Sequence, residues 1–284
     1  MEPEVDDHDE SAAQLRPLAV DLPAFEYIRN VWARRDFAFA LPFEELRSSH
    51  LDTFLGNLWH LGNPLFSAGV YYLIFGVWLG ASKGIDNYVV WLIIGVFTYQ
   101  LTSSTILGGA SSIAARQGLM RSFRFPRAIV PISSTIGKLL SFGFQLGVIV
   151  VVAFATGVTP SRRWLLLPVV LAVHTAFNLG GAFIAARLND SFRDVQQLIP
   201  FVLRLAQYMS GVMFSMDRIL GRNVWVDRLV LLNPMVSIIE FYRWMILGTP
   251  VRPGPSVVAV LVTVATLVFG FRFFKAAEHR YGKP

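Results

Sequence analysis

A chain of 284 residues with 54% hydrophobic and only 15% charged side chains, at a mean hydropathy of +0.51, has too little polar surface to clothe a water-soluble globule. Its net charge of +6 sits in arginines that flank apolar stretches, which points to an anionic membrane surface and away from nucleic acid. It has no cysteine, which excludes disulfides and thiolate metal sites.

Eight of the nineteen acidic residues fall between Glu2 and Glu26, against one basic residue, Arg16. That opening, residues 1–23, reads as a disordered cytoplasmic tail. No basic n-region precedes an apolar run and cleavage site, so the first membrane helix is expected to act as an uncleaved targeting signal. Residues 24–52 form an interface region. Phe25, Ile28 and Trp32 recur at helical spacing, with Arg29 and Arg35 elsewhere around the wheel and Arg34 beside them. An amphipathic helix in the cytoplasmic headgroup zone fits this pattern, with an ordinary surface helix as the plain alternative.

Six stretches then carry almost no charge. Residues 53–82, 87–115, 164–186 and 253–271 contain no Asp, Glu, Lys or Arg; 128–161 contains only Lys138 and 195–216 only Arg204. Each supplies the roughly 20 apolar residues that cross about 30 Å of hydrocarbon as a helix. A charge at the centre of such a helix costs about 2.5–3.5 kcal/mol, so its avoidance over these lengths is informative. The expected fold is an all-α polytopic membrane protein with one transmembrane domain, residues 53–284, and spans at 58–80, 88–112, 131–157, 164–186, 196–216 and 254–273. Arg29, Arg34, Arg35 and Arg47 precede the first span, and Arg116, Arg121, Arg124 and Arg127 follow the second. Arg187 and Arg193 follow the fourth, and Arg272, Lys275, Arg280 and Lys283 close the chain. Only Lys83, Arg162 and Arg163 stand in the short loops opposite, so a multi-pass protein of the cell membrane with both termini in the cytoplasm is expected.

Two connecting segments carry more than topology. The loop at 113–130 holds four arginines interleaved with Leu119, Met120, Phe123 and Phe125. It reads as a short helix offering apolar side chains to a cytoplasmic partner and ended by Pro126, against the simpler reading of membrane anchoring. The segment at 222–248 is too interrupted to span and too apolar to be an ordinary loop. Two re-entrant half-helices meeting near Asn233–Pro234 are expected, with a wet cavity beside them, because non-helical backbone at that depth must face protein or water.

Nothing in the chain hydrolyses a nucleotide, since no G-x-x-x-x-G-K-[ST] loop occurs. No pair among His8, His50, His60, His174 and His279 has metal-ligand spacing, so no metal, cofactor or catalytic residue is expected in this chain. His174 and Asn178 at i and i+4 suit an interhelical hydrogen-bond pair. In the fifth span Gln197, Phe201, Arg204, Tyr208 and Gly211 share one helical face, which faces water, another subunit, or both, because Arg204 would be costly in lipid. Tyr71, Phe75 and Trp78 align on the first span as candidate sugar-stacking aromatics, or equally as packing residues. An intramembrane glycosyltransferase acting on a polyprenyl phosphate would need membrane-surface carboxylates. The chain offers Asp86, and Asp190 with Asp194, which are expected to pair with Arg187 and Arg193.

Four segments in order, residues 55–76 (LGNLWHLGNPLFSAGVYYLIFG), 123–133 (FRFPRAIVPIS), 189–203 (NDSFRDVQQLIPFVL) and 231–248 (LLNPMVSIIEFYRWMILG), resemble the membrane subunits of ABC-2-type polysaccharide exporters. These are the permeases that export O-antigen, teichoic acid and mycobacterial galactan. The resemblance implies a homodimer with six spans per subunit, in contact with membrane lipids, and two cytoplasmic ATPase subunits that hold the ATP and Mg. A lipid-linked polysaccharide would thread between the two permeases. Arg116, Gln117, Leu119, Met120, Arg121, Phe123, Arg124, Phe125 and Arg127 would form the coupling helix on the ATPase. The interface helix would lie against the same partner, and Asn233, Pro234, Glu240 and Arg243 would gate the outer exit. The acidic Glu44 and Glu45 stand where the family carries a basic run, and Gly211 and Ser215 stand where proline is frequent. The composition is most similar to the actinobacterial galactan-exporting branch, which implies a polyprenyl-diphosphate-linked galactan as cargo. An exporter of a lipid or a drug shares the same architecture.

Overall fold

The computed structural model describes residues 23–48, 58–123, 125–218, 220–221 and 223–281, and every regular element among them is helical. The acidic tail before residue 23, residues 49–57 and Arg124 lie outside the described residues. Helices α1 (Ala24–Ala33) and α2 (Arg35–Ser48) precede α3 (Leu58–Tyr71), which runs on as a π-helical segment, Tyr72–Trp78. The long α4 (Tyr88–Ala115) leads through the short α5 (Gln117–Ser122) to α6 (Ile129–Ala155). A 3-10 turn at Arg162–Leu166 opens α7 (Leu167–Ser191), followed by α8 (Val195–Tyr208), α9 (Val224–Leu232), α10 (Pro234–Leu247) and α11 (Pro253–Lys275).

Among the described residues four helices are long and apolar enough to cross a membrane: α4, α6, α7 with its opening turn, and α11. Their exteriors are inverted relative to a soluble protein. Phe144, Val151 and Phe154 on α6, and Val257, Leu261, Val264, Val268 and Phe269 on α11, all face outward. Surfaces of that kind are stable against hydrocarbon and not against water. Within its most apolar window 72% of α4 is buried, against 22% for α6 and α11, so α4 is the axis around which the others pack. The α7–α11 seam is close because both helices present glycine. A Cβ on Gly270 would collide with the Gly180 carbonyl oxygen, and one on Gly180 would meet the Thr266 oxygen at 2.6 Å.

Two expected spans are built differently. The first changes pitch at Tyr72, where bonds of the i→i+5 type take over; the Leu79 N–H, for example, donates to the Ile74 carbonyl at 3.0 Å. The fifth, expected over 196–216, is helical only to Tyr208; beyond it Gly211 turns at φ +67° and the backbone leaves the helix. From Ser210 to Met213 that irregular stretch is buried; the carbonyls of Gly211 and Val212 accept from a side chain of α10, described below, and that of Met213 from the Tyr88 hydroxyl. The chain also comes back on itself: α1, the loop after α4 and the turn after α11 meet at one end, here called the arginine-rich end. The α9–α10 pair lies at the other, the hairpin end.

Candidate functional site

One buried carboxylate organises the arginine-rich end. Glu278, in the turn Glu278–Arg280 after α11, accepts a hydrogen bond from the Tyr27 hydroxyl of α1 at 2.8 Å and from the Arg127 backbone N–H at 2.9 Å. The Tyr27 oxygen in turn accepts from the Ala128 N–H at 3.2 Å, at the mouth of α6. Met120, Ala128, Phe183, Phe274 and Tyr281 close an apolar cluster around this clasp, and Lys275 lies 5.4 Å from the centre of the Tyr27 ring. Three segments up to 251 residues apart are thereby locked into one body.

Burial holds the Glu278 carboxyl above the ordinary glutamate range, against the opposing pull of the Arg127 N–H, the Tyr27 hydroxyl and the charges of Arg127 and Lys275. An acid whose folded pKa is raised binds its proton more tightly when folded. Its ionisation therefore costs stability above the folded pKa, and the cost is relieved as pH falls through that value towards the ordinary one. Glu278→Gln is accordingly expected to match the wild type at mildly acidic pH and to exceed it in unfolding midpoint at neutral pH. A parallel pair of pH profiles in detergent would sink this assignment.

The segment expected to couple to a partner divides into inward and outward residues. Arg116 caps α4 and reaches the Val130 carbonyl at 3.3 Å, and Gln117 opens α5. Met120 is 5% exposed and packs within the chain, and Phe125 packs edge-on against Phe37 at 5.3 Å, so neither is presented outward. Leu119 is half-buried, while Arg121 and Phe123 are exposed. Helix α5 ends at Ser122, four residues before Pro126, because Phe123 already takes extended backbone. Of Arg127 the backbone serves the clasp, and its side chain is half-buried. On α1, Phe25, Ile28 and Trp32 stand exposed on the side away from buried Tyr27; Arg35 lies 5.6 Å from the Trp32 ring, and Arg29 is exposed. Arg34 closes the helix as its C-cap.

Along α8 the expected stripe is open. Gln197, Phe201, Arg204 and Tyr208 are all exposed, and no residue of the helix is buried. The Tyr71 hydroxyl of α3 lies within electrostatic reach of Gln207, Tyr208 and Arg204, so residues from two expected linings do come near each other. The third aromatic of the α3 set does not join them. Tyr71 and Phe75 touch edge-on at 6.4 Å, whereas Trp78 is 81% exposed. The π turn rotates its position off the face that α-helical spacing assigns.

At the hairpin end Asn233 separates α9 from α10. Its side-chain oxygen accepts from the Met235 N–H at 3.0 Å and its amide donates to the Ser210 hydroxyl at 3.0 Å, while Pro234 fills the first helical turn. Arg243 is 4% exposed and points into the bundle. It donates to the carbonyls of Trp91 (3.1 Å), Gly211 (2.8 Å) and Val212 (3.1 Å), and its guanidinium lies 3.2 Å from the centre of the Trp91 ring. Gly95 makes the room, since a Cβ there would sit 2.6 Å from the guanidinium. Beside this clamp opens a cavity of about 620 Å³ lined by Asp86, Ser210, Asp217, Glu240 and Arg252 among others. Arg252 pairs with Asp217 and sits 3.8 Å from Glu240.

The buried polar pairs differ in part from expectation. His174 bonds Thr102 of α4 at 2.8 Å and Tyr242 of α10 at 3.4 Å, but neither polar atom of Asn178 has a partner. Arg187 turns to α11, where it donates to the Phe273 carbonyl and stacks at 4.0 Å over the Phe273 ring, and so does not pair with Asp190. Asp190 answers to Arg280 and Arg127 instead. Ser210 bonds the Ala206 carbonyl and Asn233, with no histidine beside it, and among the described residues no cluster of metal ligands occurs. Sequence reasoning missed Tyr27, Glu278 and Trp91; the only signal for Glu278 is a lone carboxylate in an otherwise basic terminus.

The family model for ABC-2 type transporters matches residues 43–247, from α2 through α10. The chain belongs to the ABC-2 type transporter family. Within this ABC-2 family it is 28% identical over 257 residues to the O-antigen export system permease protein RfbA of Myxococcus xanthus, covering 88% of this chain and 98% of that protein. A Klebsiella pneumoniae RfbA is 26% identical over 87% of the chain and 94% of its own length. The polysialic acid transport protein KpsM of Escherichia coli is 23% identical over 84% and 92%. The ABC-2 match spans the clasp's Arg127, the α8 stripe and the Arg243 clamp, and ends before α11 and Glu278.

Proposed function

We propose that this chain is the channel-forming permease of an ATP-driven exporter that moves a lipid-linked polysaccharide, a polyprenyl-diphosphate-linked galactan, across the cell membrane. The observation that carries it is the similarity to two different polysaccharide transport proteins, RfbA over 88% of the chain and KpsM over 84%. In this reading α3 with its π segment and α8 also cross the membrane, giving six spans, and the arginine-rich end is cytoplasmic. Two copies would face each other across α8, whose open row of Gln197, Phe201, Arg204 and Tyr208 supports a polar, aromatic conduit wall. A separate ATPase subunit would bind α5 and α1. The clasp of Tyr27, Arg127 and Glu278 favours this, because it joins both elements to α6 and α11 and would pass a push on either into the bundle. The α9–α10 hairpin would gate the outer exit, moving about the Asn233 cap.

The test is depletion of the protein in its host, with lipid-linked glycan quantified on the cytoplasmic leaflet. Full-length polymer is expected to accumulate inside, and its sugars identify the cargo. Truncated or missing polymer would place the chain in synthesis and end the transporter reading.

A further inference from the structure

The arginine-rich end holds a second cavity, of about 600 Å³, that the proposed transport cycle leaves unused. Gln117 at the start of α5, Asn189 and Asp190 at the end of α7, Arg193 and Gln196 around the start of α8, and Arg280 of the closing turn line it. Residues far apart in sequence thus converge on one polar space, and they include Asn189, Asp190 and Arg193, half of the NDSFRD run.

The lining asks for two kinds of ligand atom at once. Arg193 and Arg280 are exposed cations, and among the lining residues only Asp190 is acidic, with Arg127 also in electrostatic reach of it. The cavity therefore favours an anion, and guanidinium forks suit phosphate oxygens. Asn189 is 5% exposed; its amide nitrogen is committed to the Ala110 carbonyl at 2.8 Å, while its oxygen has no partner. A buried acceptor in that state lacks a donor that the protein does not supply. A bare phosphate diester would satisfy the arginines and still leave Asn189 without a hydrogen. A neutral sugar would do the reverse.

We propose that this cavity binds a glycosyl phosphate: phosphate oxygens on Arg193 and Arg280, sugar hydroxyls donating to Asn189 and Asp190. The proposal rests on the transporter reading, which supplies a phosphate-bearing glycan end at the cytoplasmic side. Gln117 gives the site a consequence. It is the first residue of α5, so a ligand in the cavity touches the helix proposed to meet the ATPase, and occupancy can be sensed there.

The experiment uses the full chain in nanodiscs and saturation-transfer NMR, with galactose 1-phosphate, galactose and inorganic phosphate as probes. Saturation of sugar protons is expected for galactose 1-phosphate and not for galactose, with binding weakened roughly tenfold in Arg193→Gln and in Arg280→Gln as a charge-assisted contact is lost. Both side chains are exposed, so both variants are expected to fold. No saturation in the wild type, equal saturation by galactose, full competition by inorganic phosphate at equal concentration, or unchanged binding in both variants would each overturn the proposal. Polyprenyl-diphospho-galactose in the bilayer is expected to displace the soluble probe if the ligand is lipid-borne; failure to displace assigns the same chemistry to a soluble glycosyl phosphate. Host depletion separates the two readings. Accumulated glycan together with normal export by Arg193→Gln would leave the transporter standing and remove this site. Absence of accumulation would remove the transporter and leave the NMR result to judge the cavity.

Discussion

Arg243→Ala is expected to leave little folded protein. The side chain is buried, and its three donors hold the carbonyls of Trp91, Gly211 and Val212, two of which belong to the irregular backbone after α8. Each buried carbonyl left without a donor costs about 1–3 kcal/mol, so three of them cost about 3–9 kcal/mol, a large share of the roughly 5–15 kcal/mol that typical folds possess. Lysine keeps the charge but not the fork and cannot serve three carbonyls, so Arg243→Lys is expected to fall between alanine and wild type. Gly95→Ala tests the same clamp from the other side, since its new methyl would meet the guanidinium at 2.6 Å and the Val212 oxygen at 2.9 Å. Unfolding midpoints in detergent decide the matter. Arg243→Ala should lose far more than Phe201→Ala on the exposed α8 face, and equal losses would show that the clamp carries little stability.

That clamp marks where the sequence stops being readable. Charge avoidance alone locates α4, α6, α7 and α11, because the penalty for a charge in hydrocarbon acts on every residue of a span and leaves a gap in the text. Asn233–Pro234 is legible for a local reason: an amide that caps, followed by a ring that suits the first helical turn, needs no tertiary partner to be understood. The family resemblance offers Arg243 as a gate residue, but its part in the clamp is hidden, because its partners, about 30 and 150 residues away, are backbone atoms that no pattern encodes. The same holds for Tyr27 and Glu278, which are 251 residues apart. The π segment is a third kind of failure. A stripe at α-helical spacing through Tyr71, Phe75 and Trp78 is real as a pattern, but one change of pitch at Tyr72 moves Trp78 to another face. Arg187 fails in a fourth way: the nearest carboxylate in sequence, Asp190, loses to the Phe273 ring and carbonyl supplied by a packed helix.

Export is expected to fail in Phe123→Ala and Arg121→Glu while the protein remains folded. Both side chains are exposed at the end of α5 and the turn beyond it, so their removal costs the isolated chain little, within about 0.5 kcal/mol. At a protein interface arginine is among the residue types whose loss most often exceeds about 2 kcal/mol, roughly a thirtyfold weakening of the partner complex, and an exposed aromatic such as Phe123 supplies buried apolar area beside it. Met120 supplies the contrast. It sits one position from Arg121 yet is buried in the clasp cluster, and Met120→Ala is expected to lower stability by about 2–5 kcal/mol through the cavity it leaves. The pair of readouts separates docking from folding. Binding of the ATPase subunit to purified permease, measured beside the unfolding midpoint, should drop with an unchanged midpoint for Phe123→Ala and Arg121→Glu, and with a lowered midpoint for Met120→Ala. Normal ATPase binding and normal export in both exposed variants would mean that α5 is only a membrane anchor, and that any force from a partner enters through α1 and the Tyr27–Glu278 clasp instead.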